Sequence, residues 1–278
     1  IRQGILPADF TQKKADRSYF EIASNQIPAT IEKILDAAIR SGIPARDIQV
    51  LAPMYRGTAG IDAINQLMQE LLNPLKKGQI SFEASQFHYR TGDKVIHLVN
   101  DAEINVFNGD LGYITDLIPG KYTESKQDEI VIDFDGNEVS YPRNEWYKIR
   151  LAYAMSIHKS QGSEFPVVFL PITSASKRML ERNLIYTAIT RAKSKLILLG
   201  ELQAFDYATK HMGTARKTYL IERFSDLTES SEEVNEPILE TENQIDPHQP
   251  YILTEDNWTS IPAMIGISQD DLDEFFGK

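Results

Sequence analysis

Apolar positions recur along this chain with two periods, and each change of period marks a new element. Over residues 30–40 they fall at Ile31, Ile34, Leu35, Ala38 and Ile39, the spacing that lays one apolar stripe along a helix, and Gly42 and Pro44 stop it. Residues 47–54 form a short, nearly continuous apolar run and read as a buried strand. Ile61, Ile64, Leu67, Met68 and Leu71 then mark a second helix over 60–72, ended by Asn73-Pro74. Residues 1–25 are mixed, with a strand candidate over 17–23. Between 92 and 148 the period shortens to that of strands, at 94–99, 111–117, 129–134 and 138–141. Asn108-Gly109, Pro119-Gly120 and Asp135-Gly136-Asn137 separate them, and turns this frequent predict a small β-barrel or meander. An α/β order resumes with a strand over 166–172, a helix over 177–191, a strand over 195–199 and helical stretches to about 227. The pattern therefore predicts a β unit inserted into an α/β domain with a parallel sheet.

Charge changes the picture only at one end. The net charge is -11, yet thirteen acidic residues and one basic residue lie from Glu229 to Lys278, which leaves residues 1–228 near neutral at +1. The global balance therefore does not exclude a phosphate-bearing partner for the body. The segment from 229 reads as a polar linker and an acidic tail, with Trp258, Ile261, Met264 and Ile265 as apolar anchors that either fold back on the body or meet a protein partner. With no cysteine and five scattered histidines, neither disulfides nor a zinc pattern is expected, and no metal site is assigned. No apolar run reaches a membrane span and no leader is recognised, so a cytoplasmic location is expected. The chain starts at Ile1 and reads as a piece of a longer protein.

Four segments carry candidate chemistry. In Ala154-Met-Ser-Ile-His-Lys-Ser-Gln-Gly-Ser-Glu-Phe165, hydroxyls, backbone N–H groups and Lys159 cluster where a strand gives way to a turn, a setting that holds phosphate oxygens or simply caps a helix. In Asn183-Leu-Ile-Tyr-Thr-Ala-Ile-Thr-Arg-Ala-Lys193, Arg191 stands at a helix end. There it serves either as an arginine finger toward a γ-phosphate or as a cation complementing the helix C-terminus. Leu51-Ala-Pro-Met-Tyr-Arg-Gly-Thr-Ala-Gly60 closes a strand with a glycine-bearing loop around Arg56, where open α/β sheets bind ligands. Thr91-Gly-Asp-Lys-Val-Ile-His97 and Asn105-Val-Phe-Asn-Gly-Asp-Leu-Gly112 read locally as turn residues.

Taken together over about 49–201, these segments resemble the C-terminal half of the RecD/TraA branch of superfamily 1 DNA helicases, above all in His158–Phe165 and Tyr186–Lys193. The resemblance implies a second RecA-like motor domain over 1–91 and 150–228, an inserted SH3-like barrel over 92–149 and the tail over 229–278. It also implies that Arg191 and Arg56 are catalytic and face the nucleotide phosphates, with Gly57, Gly162 and Glu164 on the nucleotide side. Ser156, His158, Lys159, Ser160 and Gln161 would contact single-stranded DNA. ATP and magnesium are the implied cofactors of the full-length enzyme, and 5′ to 3′ travel the implied polarity. The family's phosphate cradle, G-x-x-x-x-G-K-[ST], does not occur in these 278 residues. The chain alone is thus expected to be inactive as an ATPase, to hold no bound cofactor, and to need an N-terminal motor domain in cis. Ile130-Val-Ile-Asp-Phe-Asp135 superficially resembles a magnesium-binding strand but reads as a surface hairpin. The alternatives are a non-enzymatic single-stranded nucleic-acid-binding module and a protein-interaction module.

Overall fold

The computed structural model describes residues 1, 3–84 and 86–213. Its centre is a parallel sheet of five strands: β1 (Arg17–Glu21), β2 (Ile48–Ala52), β10 (Ala154–Ser156), β11 (Phe165–Ile172) and β12 (Ala192–Gly200), in the order β1-β12-β11-β2-β10. Strands covered on both faces read as apolar runs, and every residue of β2 is buried accordingly. Alternation sorts the two faces. Ile48, Val50, Phe169 and Leu199 pack with Ile31 and Leu35 of α1 (Ile27–Arg40) and Ile64 and Met68 of α2 (Ile61–Leu72). Leu51, Val168, Leu170 and Leu198 pack with Leu184 and Ile185 of α3 (Arg182–Ile189) and Phe205 of α4 (Leu202–Lys210).

Between β2 and β10 the chain builds two antiparallel sheets. A hairpin of β3 (Ser81–Ala84) and β4 (Phe87–Arg90) precedes a five-stranded sheet of β5 (Lys94–His97), β6 (Leu111–Ile118), β7 (Glu129–Phe134), β8 (Asn137–Pro142) and β9 (Ile149–Leu151), in the order β8-β7-β6-β5-β9. Asp135 and Gly136 turn between β7 and β8 with φ of 53° and 93°, left-handed values that suit Asp and Gly, so Asp133 and Asp135 belong to the hairpin anticipated there.

One expectation needs correcting. The helix foreseen over 177–191 is two pieces, a 3-10 segment (Ser174–Met179) and α3, separated by Leu180 in extended backbone with ψ of 111°. Buried Leu180 and Leu184 anchor both pieces to the same apolar cluster, so packing rather than helical period sets the break. The β3-β4 hairpin and β9 were not foreseen at all. Helical stretches beyond α4 to 227, and the linker, tail and apolar anchors over 229–278, lie outside the described residues. Among the described residues no helix is long and apolar enough to cross a membrane.

Candidate functional site

Because all five central strands run parallel, their ends define two edges, and the singled-out residues divide between them. Phe165 pairs with Ala192, so Arg191, Gly162, Ser163 and Glu164 gather where β11 and β12 begin. Arg191 is held there by its own neighbours. Its Nε donates to Thr187 O at 3.2 Å, one terminal nitrogen to Ser163 O at 3.0 Å and the other to Thr190 Oγ1 at 3.1 Å. Three of the five guanidinium N–H donors are thereby used, all on neutral oxygens. The nearby carboxylate of Glu164 pairs instead with Lys193, at 3.3 Å, and Arg191 has no ion pair among the described residues. Gly162 has φ of +87° and open space where a side chain would stand, which leaves its backbone approachable.

The opposite edge holds Arg56 and Ser156. Ser156 pairs with Ala52 at the ends of β10 and β2. Arg56, exposed, follows on the loop into α2 and lines a cavity of about 100 Å3 with Gly57, Thr58, Ser24, Thr173 and Ser176. Gly57 takes φ of +97°, and Gly60 packs so closely that an added Cβ would lie 2.4 Å from Tyr55 O, so the glycines set the loop's path. From this edge to the other β11 runs Phe165–Ile172, roughly 23 Å of strand at 3.3 Å per residue. Arg56, beside Pro171 and Thr173, and Arg191, beside Phe165, thus stand toward the two ends of β11.

Residues 157–164 connect the two edges. His158, Lys159 and Gln161 are accessible on this turn, whereas the two serines form it. Ser160 is fully buried and its hydroxyl donates to Ile157 O at 2.7 Å, while Ser156 Oγ accepts from Lys159 N at 3.3 Å. The DNA-contact expectation for Ser160 is corrected on that ground, since its donor is spent and its side chain covered, and Ser156 also acts through the turn. Burial, with the positive field of Arg150 behind it, lowers the pKa of Lys159 from its ordinary value.

Sequence reasoning missed the residues that hold these edges. Asn65, buried on α2, donates to Ala154 O at 2.9 Å and accepts from Ala154 N at 2.8 Å, completing the ladder of edge strand β10. Gln49, buried in β2, donates to Ala152 O and Tyr153 O, both at 3.1 Å, and accepts from Lys94 Nζ at 2.9 Å. Asp93, with no exposed surface, accepts from Gln69, Asn73, the Arg90 backbone and the Tyr153 hydroxyl, and burial raises its pKa despite those donors. Gly92-Asp93-Lys94 thus fastens the five-stranded sheet to the parallel one rather than meeting a ligand. Polar residues at core-facing positions, such as Asn65 between Ile64 and Met68, were the available signal.

A family model described as the UvrD-like helicase C-terminal domain matches residues 151–199, and one described as the ATP-dependent RecD-like DNA helicase SH3 domain matches 64–134. The ATP-dependent RecD2 DNA helicase of Deinococcus radiodurans is 35% identical over 176 residues, 63% of this chain and 23% of that protein. The RecBCD enzyme subunit RecD of Mycolicibacterium smegmatis is 30% identical over 152 residues, 55% of this chain and 25% of that protein. The chain thus spans about a quarter of the length of these relatives. The solved Pif1 helicase of Candida albicans aligns with 74% of this chain and 60% of that one at 17% identity and a TM-score of 0.39, a likeness too low to argue from. The chain is thus similar to RecD-type helicases, with residues 64–134 matching the RecD-like helicase SH3 domain and residues 151–199 a UvrD-like helicase C-terminal domain.

Proposed function

We propose that this chain acts as the second motor domain of an ATP-dependent helicase that moves on single-stranded DNA. In this reading residues 1–91 and 150–228 form the discontinuous motor domain, 92–149 the inserted SH3-like barrel and 229–278 a linker and acidic tail. ATP supplies the free energy, bound between this domain and a P-loop domain in cis. Magnesium would accompany the nucleotide, held chiefly by its phosphates and by water.

The observation that carries the reading is Arg191. Its guanidinium is oriented by three neutral oxygens and keeps its charge uncompensated by any carboxylate among the described residues. It therefore presents a fixed cation, with donors to spare, to an anion arriving at the β11-β12 edge beside the approachable backbone of Gly162. A γ-phosphate gains negative charge on its oxygens during transfer, and a preoriented guanidinium stabilises that charge without reorganising. Glu164, paired with Lys193, frames the same edge.

The opposite edge is assigned to the DNA strand. Arg56 moves to this side in our reading, because the length of β11 separates it from Arg191. His158, Lys159, Gln161 and Arg56 then offer charge and donors to backbone phosphates, and Ser156 and Ser160 shape the turn that carries them. Since residues 157–164 join both edges through one short, hydrogen-bonded segment, a movement imposed at the nucleotide edge is passed to the strand edge. This gives the chain its part in translocation.

The reading is tested on this chain with short oligodeoxynucleotides. Binding should be insensitive to base sequence and weaken steeply with salt, and Lys159→Ala should shallow the slope of log affinity against log salt by about 0.7, the loss of one phosphate contact on a single strand. An unchanged slope with affinity retained would remove Lys159 from the phosphate contacts. The chain alone should show no DNA-stimulated ATP hydrolysis, and turnover above background in a clean preparation would overturn its assignment as a half-site.

A further inference from the structure

The loop between β5 and β6 is short of conformational freedom and long on exposed aromatic surface. Asp101 and Val106 pair through two backbone hydrogen bonds, of 2.9 and 3.1 Å, and Val106 is buried beneath them. Phe107 N donates to Asp110 Oδ2 at 2.7 Å, Asn108 N to Asn100 Oδ1 at 3.0 Å and Gly109 N to His97 O at 2.9 Å, while Asp110 N closes the turn on Phe107 O at 3.0 Å. Gly109, at φ of +109°, takes the left-handed position that the turn requires. Nothing in this turn calls for an aromatic residue, yet Phe107 is 46% exposed on it.

The same loop touches the strand edge. Lys159 Nζ donates to Asn108 Oδ1 at 3.3 Å, so the cation of the 157–164 turn stands one residue along the chain from Phe107. Arg150, whose positive field reaches Lys159, is paired with Asp62 at 2.7 Å and lies over the ring of Tyr55 at 4.8 Å. Tyr55, 37% exposed, leads directly into Arg56. Exposed aromatics thus accompany the cations of this edge, Tyr55 beside Arg56 and Phe107 on the loop that meets Lys159, with Arg150, its charge offset by Asp62, over Tyr55. Proteins that hold single strands without sequence preference alternate basic groups for the backbone with aromatic faces for the bases.

We propose that the β5-β6 loop is part of the DNA-binding surface and that Phe107 stacks on a base of the strand whose phosphate Lys159 holds. The proposal rests on the strand-edge reading above and extends it from the parallel sheet to the SH3 domain. Because the loop is already ordered by its own hydrogen bonds, stacking costs little further ordering.

The test compares this chain with its F107A, F107W and K159A variants in binding to a short oligothymidylate over a range of salt concentrations. F107A should weaken binding about fivefold or more at every salt concentration, the lower end of what one base stack contributes, and leave the salt slope as it was. F107W should bind as the parent does and show tryptophan quenching on binding beyond that of the parent's own tryptophans. K159A should shallow the slope. If K159A shallows the slope while F107A binds like the parent, the stacking role is wrong and the strand-edge reading stands. If the parent does not bind, or K159A leaves the slope unchanged, the strand-edge reading fails and this proposal fails with it. Phe107 is half-exposed on a loop held by backbone bonds, so its truncation spares the fold, and an unchanged circular dichroism spectrum verifies that.

Discussion

Replacing Lys94 by methionine perturbs the join between the two sheets, and its effect is worked out most clearly as a function of pH. Lys94 is 5% exposed, donates to Gln49 Oε1 at 2.9 Å and lies 5.5 Å from the centre of the Phe165 ring. Burial lowers its pKa from 10.5 to about 8, with the charge of Asp47 opposing the shift. The folded pKa thus lies below the unfolded one, so between those values the unfolded chain binds more protons and stability rises with pH. Below about pH 8 both states are protonated and the whole penalty of a buried charge is present. The full shift corresponds to about 3 kcal/mol, of which about 2 kcal/mol is recovered between roughly pH 7 and pH 9.5. Methionine keeps the stem and removes the titration, at the cost of leaving Gln49 Oε1 without its donor, about 1–3 kcal/mol. These terms nearly offset at neutral pH, so the discriminating quantity is the change in the difference. Urea unfolding of both proteins should show the parent gaining about 2 kcal/mol on Lys94→Met between roughly pH 7 and pH 9.5. A difference that stays constant over that range would refute a buried, penalised ammonium at this join.

Two other substitutions separate anchoring from ligand contact. Asp93→Asn places an amide among four donors and should destabilise by about 1–3 kcal/mol, read as a lower urea midpoint; a midpoint near the parent's would mean that the donors find water. Arg56→Ala, in a protein that includes the P-loop domain, should raise the DNA concentration needed for half-maximal stimulation of hydrolysis and spare DNA-independent turnover. A loss of the basal rate comparable to that of an arginine finger would return Arg56 to the nucleotide.

Much of the architecture was legible because it is written in local periods. The apolar run of β2, the stripe of α1 and the Asp135-Gly136 turn each report on neighbours within a few residues. What escaped depends on distant partners. Gly92-Asp93-Lys94 looked like turn residues, and its importance appears only when Gln49 is found, 45 residues away in sequence, sharing a hydrogen bond with Lys94. The break at Leu180 is likewise decided by contacts with the opposite face of the sheet. The candidate site was readable as motifs but not as a geometry. Arg56 on its loop and Arg191 at its helix end were both assigned to the nucleotide by resemblance, and only the parallel register, with Ala192 beside Phe165 and Ser156 beside Ala52, shows that they stand at opposite edges. The serines of the 157–164 turn looked like ligands because a hydroxyl that closes a turn and one that binds a phosphate have the same sequence signature.

The central claim is that Arg191 meets the transferred phosphoryl group from this side of a shared nucleotide site. It is tested most directly by Arg191→Ala in a protein joining this chain to its P-loop domain, with nucleotide affinity and DNA-stimulated hydrolysis measured on the same preparation. The account predicts affinity within a few-fold of the parent and turnover lower by about 10³-fold or more. Turnover near the parent's would contradict it and leave Arg191 as a cation that merely completes the end of α3.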